Sequence, residues 1–225
     1  MRQWAGVVLA VGVLGAAGTS QGADAPIMSV RISPGPMDEA KGSGEVRILE
    51  TIPAMDAPAG AALFPVQGED LEVTAARGPV LRAAGGEDFT PARAVKGDLT
   101  IRYRVKVENT PDNGGTTPIR PRIDGRGFSA LGMTMLSVPD RKTPYRVRLI
   151  WDLSAMGPGS SAVSSFGGGD VDVPAMPLSK LGRSIFMAGV LHREPPPPAK
   201  GRFSAAWSGD PGFDLRPPMR WTQKL

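Results

Sequence analysis

After its first twenty or so residues the chain alternates apolar and polar positions with period two, and helical periodicity is almost absent. The clearest case is "DLTIRYRVKVEN". Ile101, Tyr103, Val105 and Val107 fall on one face, and Arg102, Arg104, Lys106 and Glu108 on the other. "PYRVRLIWDL" repeats the pattern, with Tyr145, Val147, Leu149 and Trp151 opposite Arg146 and Arg148. Both read as antiparallel strands with one wet face, and Trp151 as a core anchor. "APIMSVRIS", "GEVRILETI", "AALFPV" and "GRFSAAW" are further strand candidates. "SIFMAGVLH" is continuously apolar, which suits a strand covered on both faces. "AMPLSKLGRS" has room for one helical turn.

The connections carry turn chemistry: "SPGPMD", "ARGP", "PDNGG", "GPGSS" and "FGGGD". With 29 Gly and 23 Pro but no fixed period, the composition is that of many short strands joined by turns. The prediction is an all-β domain, an antiparallel β-sandwich-like architecture with little helix. It occupies residues 26–215. A Pro-rich tail, residues 216–225, follows "EPPPPAKG", a stretch suited to a stiff extended spacer.

Residues 1–22 stand apart. Arg2 precedes an apolar run from Ala5 to Ala17, and small residues follow in "GTSQGADA". This is the pattern of a secretory signal peptide cut between about residues 18 and 25, too short for a spanning helix. An uncleaved anchor is the competing reading. Export of a bacterial chain to the periplasm or medium is therefore expected, with no stable membrane span after cleavage. The chain contains no Cys, so export brings neither disulfides nor lipid attachment.

Charge is unevenly placed. Residues 24–100 hold 7 basic and 12 acidic side chains, and residues 101–148 hold 10 and 4. The formal net charge of +4 over the whole chain is too small a footprint for nucleic-acid binding. The basic strand faces offer the best positive feature: Arg102, Arg104, Arg146 and Arg148 would form an anion- or acid-binding patch if their strands shared a sheet. An ordinary wet sheet face with aggregation-blocking charge is the alternative.

Familiar chemistries find few residues. His192 is the lone histidine, so a zinc site of the "HExxH" kind cannot form, and a Ser–His–acid triad would have to use His192. No Ser of residues 26–215 sits in a G-x-S-x-G elbow; Ser160, Ser161, Ser164 and Ser165 lie in turn-like sequence. "SSFGGGD" lacks the Lys and the following helix of a phosphate loop. Asp170 and Asp172, two apart, would share a strand face and offer a weak calcium site or a solvated strand edge. No catalytic and no metal-binding residue is assigned, and no cofactor is expected in this chain.

The order of blocks carries more. "GDLTIRYRVKV" is followed by "RIDGRGFSALGMTMLSVP", "PYRVRLIWDLS", "SSAVSSFGGGD", "SIFMAGVLHR" and "GRFSAAWSGDPGFD". Over residues 75–215 this succession resembles the N-terminal β-domain of the M61 glycyl-aminopeptidase-like family, gluzincin metallopeptidases. The resemblance implies a β-fold, export and peptidase ancestry. It also implies that the zinc ligands and catalytic glutamate belong to a second domain, at positions this chain does not contain. Three readings follow. One is an exported non-catalytic accessory or binding module, whose partner would be a peptidase catalytic domain or a peptide or protein ligand. Another is a fragment of a full-length zinc aminopeptidase. The last is an unrelated periplasmic ligand- or carbohydrate-binding sandwich.

Overall fold

"LTIRYRVKVE" forms a ten-residue strand in the computed structural model, and its buried residues alternate without a break from Leu99 to Val107. The structure describes residues 8–12, 25–83, 87–109, 120–195, 203–209 and 212–222. The turn predicted at "PDNGG" and the polyproline stretch beyond Pro195 lie outside the described residues.

The first strands are β1 (Val8–Gly12), β2 (Ile27–Pro34), β3 (Ser43–Ile52), β4 (Phe64–Pro65), β5 (Glu69–Ala75) and β6 (Gly78–Pro79). Next come β7 (Asp88–Phe89), β8 (Leu99–Glu108), β9 (Arg122–Asp124), β10 (Gly127–Leu131) and β11 (Tyr145–Trp151). The last are β12 (Ser161–Ser164), β13 (Gly167–Gly168), β14 (Val171–Met176), β15 (Ile185–Gly189), β16 (Leu191–Glu194) and β17 (Phe203–Ser208). Helix among the described residues is confined to a 3-10 turn at Gly132–Thr134, α1 (Ser179–Gly182) and α2 (Arg216–Thr222). The fold is all-β and sandwich-like, as the alternation predicts.

Three sheets stack through two interfaces. The large sheet has the order β14-β11-β2-β3-β8-β5-β6. Its inner face supplies Met28, Val30, Ile32, Val46, Ile48, Ile52, Ile101, Tyr103, Val105, Val147 and Leu149, all nearly inaccessible to water. A five-stranded sheet, β13-β12-β15-β10-β9, closes that core with Phe128, Ala130, Phe186 and Ala188. The other face of β12 and β15 meets the sheet β1-β17-β16 through Val163, Met187, Ala206 and Leu191. Residues on β15 thus serve two cores in turn, which is why its sequence shows no period of two. The pairings are antiparallel except β2 with β11, which run parallel from Arg146↔Ile27 to Trp151↔Ile32.

The apolar run "SIFMAGVLH" divides at Gly189, where the chain leaves the middle sheet for the outer one. Gly189 has φ +143, and a Cβ there would lie 2.5 Å from Cα of Gly127 on the neighbouring strand. A Cβ on Gly127 would in turn meet Ala188 O at 2.3 Å. Neither backbone can move without opening β10 from β15. Gly189→Ala is therefore expected to cost about 3 kcal/mol or more, from left-handed backbone strain plus overpacking. Chemical denaturation would measure it; a loss near zero would show that the two strands can separate freely.

The Pro-rich tail ends in α2, with Pro217 and Pro218 in its first turn, where missing N–H donors cost little. Arg220 Nε donates to Glu194 Oε1 at 3.2 Å, tying the helix to β16. Leu215 just before it is buried.

Candidate functional site

The four arginines singled out by the alternation do share one sheet and its outer face, but they do not converge. β2 and β3 lie between β8 and β11. At the usual strand spacing this separates Arg102 and Arg104 from Arg146 and Arg148 by about 14 Å. Acidic partners also meet most of them. Arg104 reaches Glu45 at 2.8 Å and also contacts Asp70; Arg148 reaches Asp172 at 2.9 Å; Arg102 lies 4.0 Å from Glu72. Lys106 joins the row through Glu69 at 2.8 Å. The hydrogen bond from Arg104, then that from Arg47, hold the Glu45 carboxyl below its ordinary range. Arg146 has no ion pair among the described residues. With the partners half-exposed, each pair contributes little stability. The row keeps a wet face soluble and in register.

The glycine-rich segment is an architectural hairpin. Ser164 pairs with Gly167, and Ser164 Oγ accepts from the Phe166 N–H at 3.2 Å. Ser165 Oγ accepts from the Ile185 N–H at 2.9 Å. Asp170 Oδ1 accepts from the Trp151 N–H at 2.8 Å, while Asp172 is held by Arg148. Trp151 is half-buried against the main core, its ring 6.4 Å from that of Phe186. His192 stacks on Trp207 with ring centroids 5.6 Å apart. Among the described residues no group of three potential metal ligands comes together.

A concave site lies elsewhere. An open groove of about 800 Å³ runs between Leu63–Pro65, the loop from Met133 to Asp140, and the α1 turn with Arg183. Its base is firm because Phe64 stacks on Phe89 at 5.0 Å with ring planes 3° apart. Leu136, Val138, Pro139 and the exposed Met133 give it an apolar wall. Asp88, Asp140 and Arg183 give its rim charges of both signs. Such a groove suits an extended apolar segment with polar groups at the rim.

The groove's loop wall is pinned from below by a buried acid. Glu50, on β3 between Ile48 and Ile52, is 0% exposed. Its Oε1 lies 2.7 Å from Tyr103 Oη and 3.0 Å from the Ser137 N–H. Tyr103 Oη also lies 2.9 Å from the Met135 carbonyl and accepts from Ser137 N–H at 2.9 Å. One phenolic proton cannot serve both Glu50 and Met135. An ionised Glu50 takes that proton from Tyr103 and leaves the Met135 carbonyl short; a protonated Glu50 frees Tyr103 to donate to Met135. Burial pushes the Glu50 carboxyl up to about 7, only partly opposed by Tyr103 and Ser137, while Oε2 has no partner among the described residues. The Tyr103 hydroxyl is pushed up as well, by its own burial and then by the Glu50 charge. The alternation did contain this signal: in "GEVRILETI" Glu50 occupies the face of Val46, Ile48 and Ile52. The groove had no comparable signal, because its walls come from segments far apart in sequence.

No family model matches the sequence, and no curated protein matches it. Similar solved structures include metallopeptidases of the M1, aminopeptidase N kind. An aminopeptidase N family protein from Idiomarina loihiensis superposes with a TM-score of 0.51 at 13% identity, over 74% of this chain and 30% of its own. An M1 zinc metallopeptidase from Deinococcus radiodurans gives a TM-score of 0.43 at 16% identity, over 76% of this chain and 43% of its own. This chain therefore spans less than half the length of these neighbours.

Proposed function

We propose that the chain is an exported, non-catalytic β-domain related to the N-terminal domain of M61-type aminopeptidases, acting as an accessory or binding module. The observation that carries this reading is the fold likeness to an aminopeptidase N family protein over 74% of the chain. The ordered sequence blocks over residues 75–215 narrow it to the M61 type. The basic start and apolar run of residues 1–22 support a periplasmic or secreted location. In this reading the groove of Leu63, Phe64, Met133, Leu136 and Val138 receives an extended polypeptide. That segment comes from a peptidase catalytic domain or a peptide ligand. Zinc would belong to the catalytic domain, since this chain offers one histidine and no cysteine.

The test is hydrolysis of N-terminal glycyl and alanyl substrates by the exported protein with zinc added. No turnover above buffer is expected. Turnover that survives stringent removal of contaminating peptidases would overturn the reading.

A second reading, a fragment of a full-length aminopeptidase, is favoured by the 30% coverage of the Idiomarina loihiensis neighbour. It predicts coding sequence for "HExxH" downstream, in frame or one frameshift away. A stop followed by an unrelated gene would sink it.

A further inference from the structure

We propose that the free side of β17 is a strand-accepting edge. Residues 8–12 fill it within the unprocessed chain, and an extended, uncharged apolar segment of a partner polypeptide fills it after processing. The proposal rests on the reading of residues 1–22 as a removable leader.

In the structure β1 lies antiparallel on β17 in unbroken register, from Val8↔Trp207 to Gly12↔Phe203. β16 occupies the opposite side of β17, so among the described residues β1 is the strand that covers this edge. Cleavage between residues 18 and 25 removes it and takes the β1 pairing away from the side of Phe203–Trp207 that faces it.

An edge of this kind is a poor surface to leave open. Ala205, Ala206, Trp207 and Ser208 are all below 9% exposed. Ala206 packs toward Met187 and Val163 on one side. On the other, Trp207 shares a cavity with His192, Phe213 and Leu215. The strand "FSAAWS" holds no Lys, no Pro and no other charge, the features that usually block edge pairing. Strand addition to such an edge draws affinity from main-chain hydrogen bonds. The chemistry of the occupant follows from the segment already seated there, Val-Leu-Ala-Val-Gly, which is uncharged and apolar.

The experiment has two parts. The intact mass of the exported chain reports whether the leader is gone. Retention of residues 1–22 overturns both the leader reading and the partner-bound state. For the processed chain, a synthetic peptide of residues 7–13 is titrated while amide hydrogen exchange is followed. Saturable binding is expected, with exchange of the β1-facing amides of Phe203–Trp207 slowed about tenfold and β3 and β8 unchanged. A peptide with Pro in place of Ala10 should not bind, and the unprocessed chain, its edge already filled, should bind neither. If the leader is cut but the peptide leaves the β1-facing amides of Phe203–Trp207 unprotected, the edge proposal fails while the leader reading stands. Equal binding to processed and unprocessed chains also overturns it.

Discussion

Glu50→Gln is expected to abolish a pH dependence of stability that the unmodified protein shows between about pH 4.5 and 7. The folded protein holds the Glu50 proton until about pH 7, whereas an ordinary glutamate releases it near 4.5. Below 4.5 both folded and unfolded chains are protonated at this position, and burial carries no ionic penalty. As pH rises, the unfolded chain ionises first and becomes favoured. The penalty stops growing once pH passes the folded value. The total is about 3 kcal/mol, from roughly 1.4 kcal/mol per pH unit of displacement. The groups facing Glu50 are Tyr103 from β8 and the Ser137 backbone from the loop; its sheet partners are Val30 and Ile101. No cation among the described residues shifts it. The exposed carboxylates held down by ion pairs or caps, such as Asp38 and Asp214, work with the opposite sign and at lower pH. They remain in both proteins, so the difference isolates Glu50. Urea midpoints across this pH range give the comparison. Parallel curves for the two proteins would refute the assignment. Because the Met135–Ser137 loop hangs on this carboxyl, ionisation should also loosen the groove wall. A loss of protection at the Ser137 amide above pH 7, relative to its intrinsic exchange rate and absent in Glu50→Gln, would register it.

Phe186→Ala should remove about 3–5 kcal/mol, a large part of the 5–15 kcal/mol typical of a domain. Phe186 is 0% exposed and projects from β15 into the core between the two larger sheets. Its neighbours are strands with paired backbones, so the site cannot collapse around the cavity. Met187, one residue on, faces the other interface, where Val163 and Ala206 are the buried residues packed with it among those described. Met187→Ala should fall at the low end of the 2–5 kcal/mol range for such truncations. Hydrogen exchange separates the two effects. Phe186→Ala should raise opening throughout β2, β3 and β8, while Met187→Ala should raise it chiefly in β16 and β17. A cost below about 1 kcal/mol for Phe186→Ala would contradict the packing described.

Strands with one wet face were legible in the sequence because their side chains meet two different solvents. β8 and β11 are the examples, and β2 and β3 followed. "AALFPV" shrinks to the two residues of β4. β10, "GFSAL", is buried nearly throughout, so no alternation marks it. β5, "EDLEVTA", begins with exposed acids at a sheet margin. α2 was hidden by two prolines that usually break helices but here sit in the first turn, where they are tolerated. The arginines were correctly placed on one wet face. Their separation and their acidic partners depended on strand order, which no single stretch encodes. Glu50 was visible as a polar residue on an apolar face, and its partners Tyr103 and Ser137 were not.

The parallel contact between β2 and β11 sets a timetable for the chain. Ile27 pairs with Arg146, about 120 residues later. At 5–20 residues per second, roughly 6–24 s of synthesis separate the two strands. During that interval β2 can pair with β3, yet its other backbone edge has no strand to join and its Met28, Val30 and Ile32 face has no opposing sheet. Long-range pairing of this kind slows folding and prolongs exposure of sticky intermediates. The first half of this protein is thus committed to waiting, and holdase chaperones should engage it before Trp151 emerges rather than after.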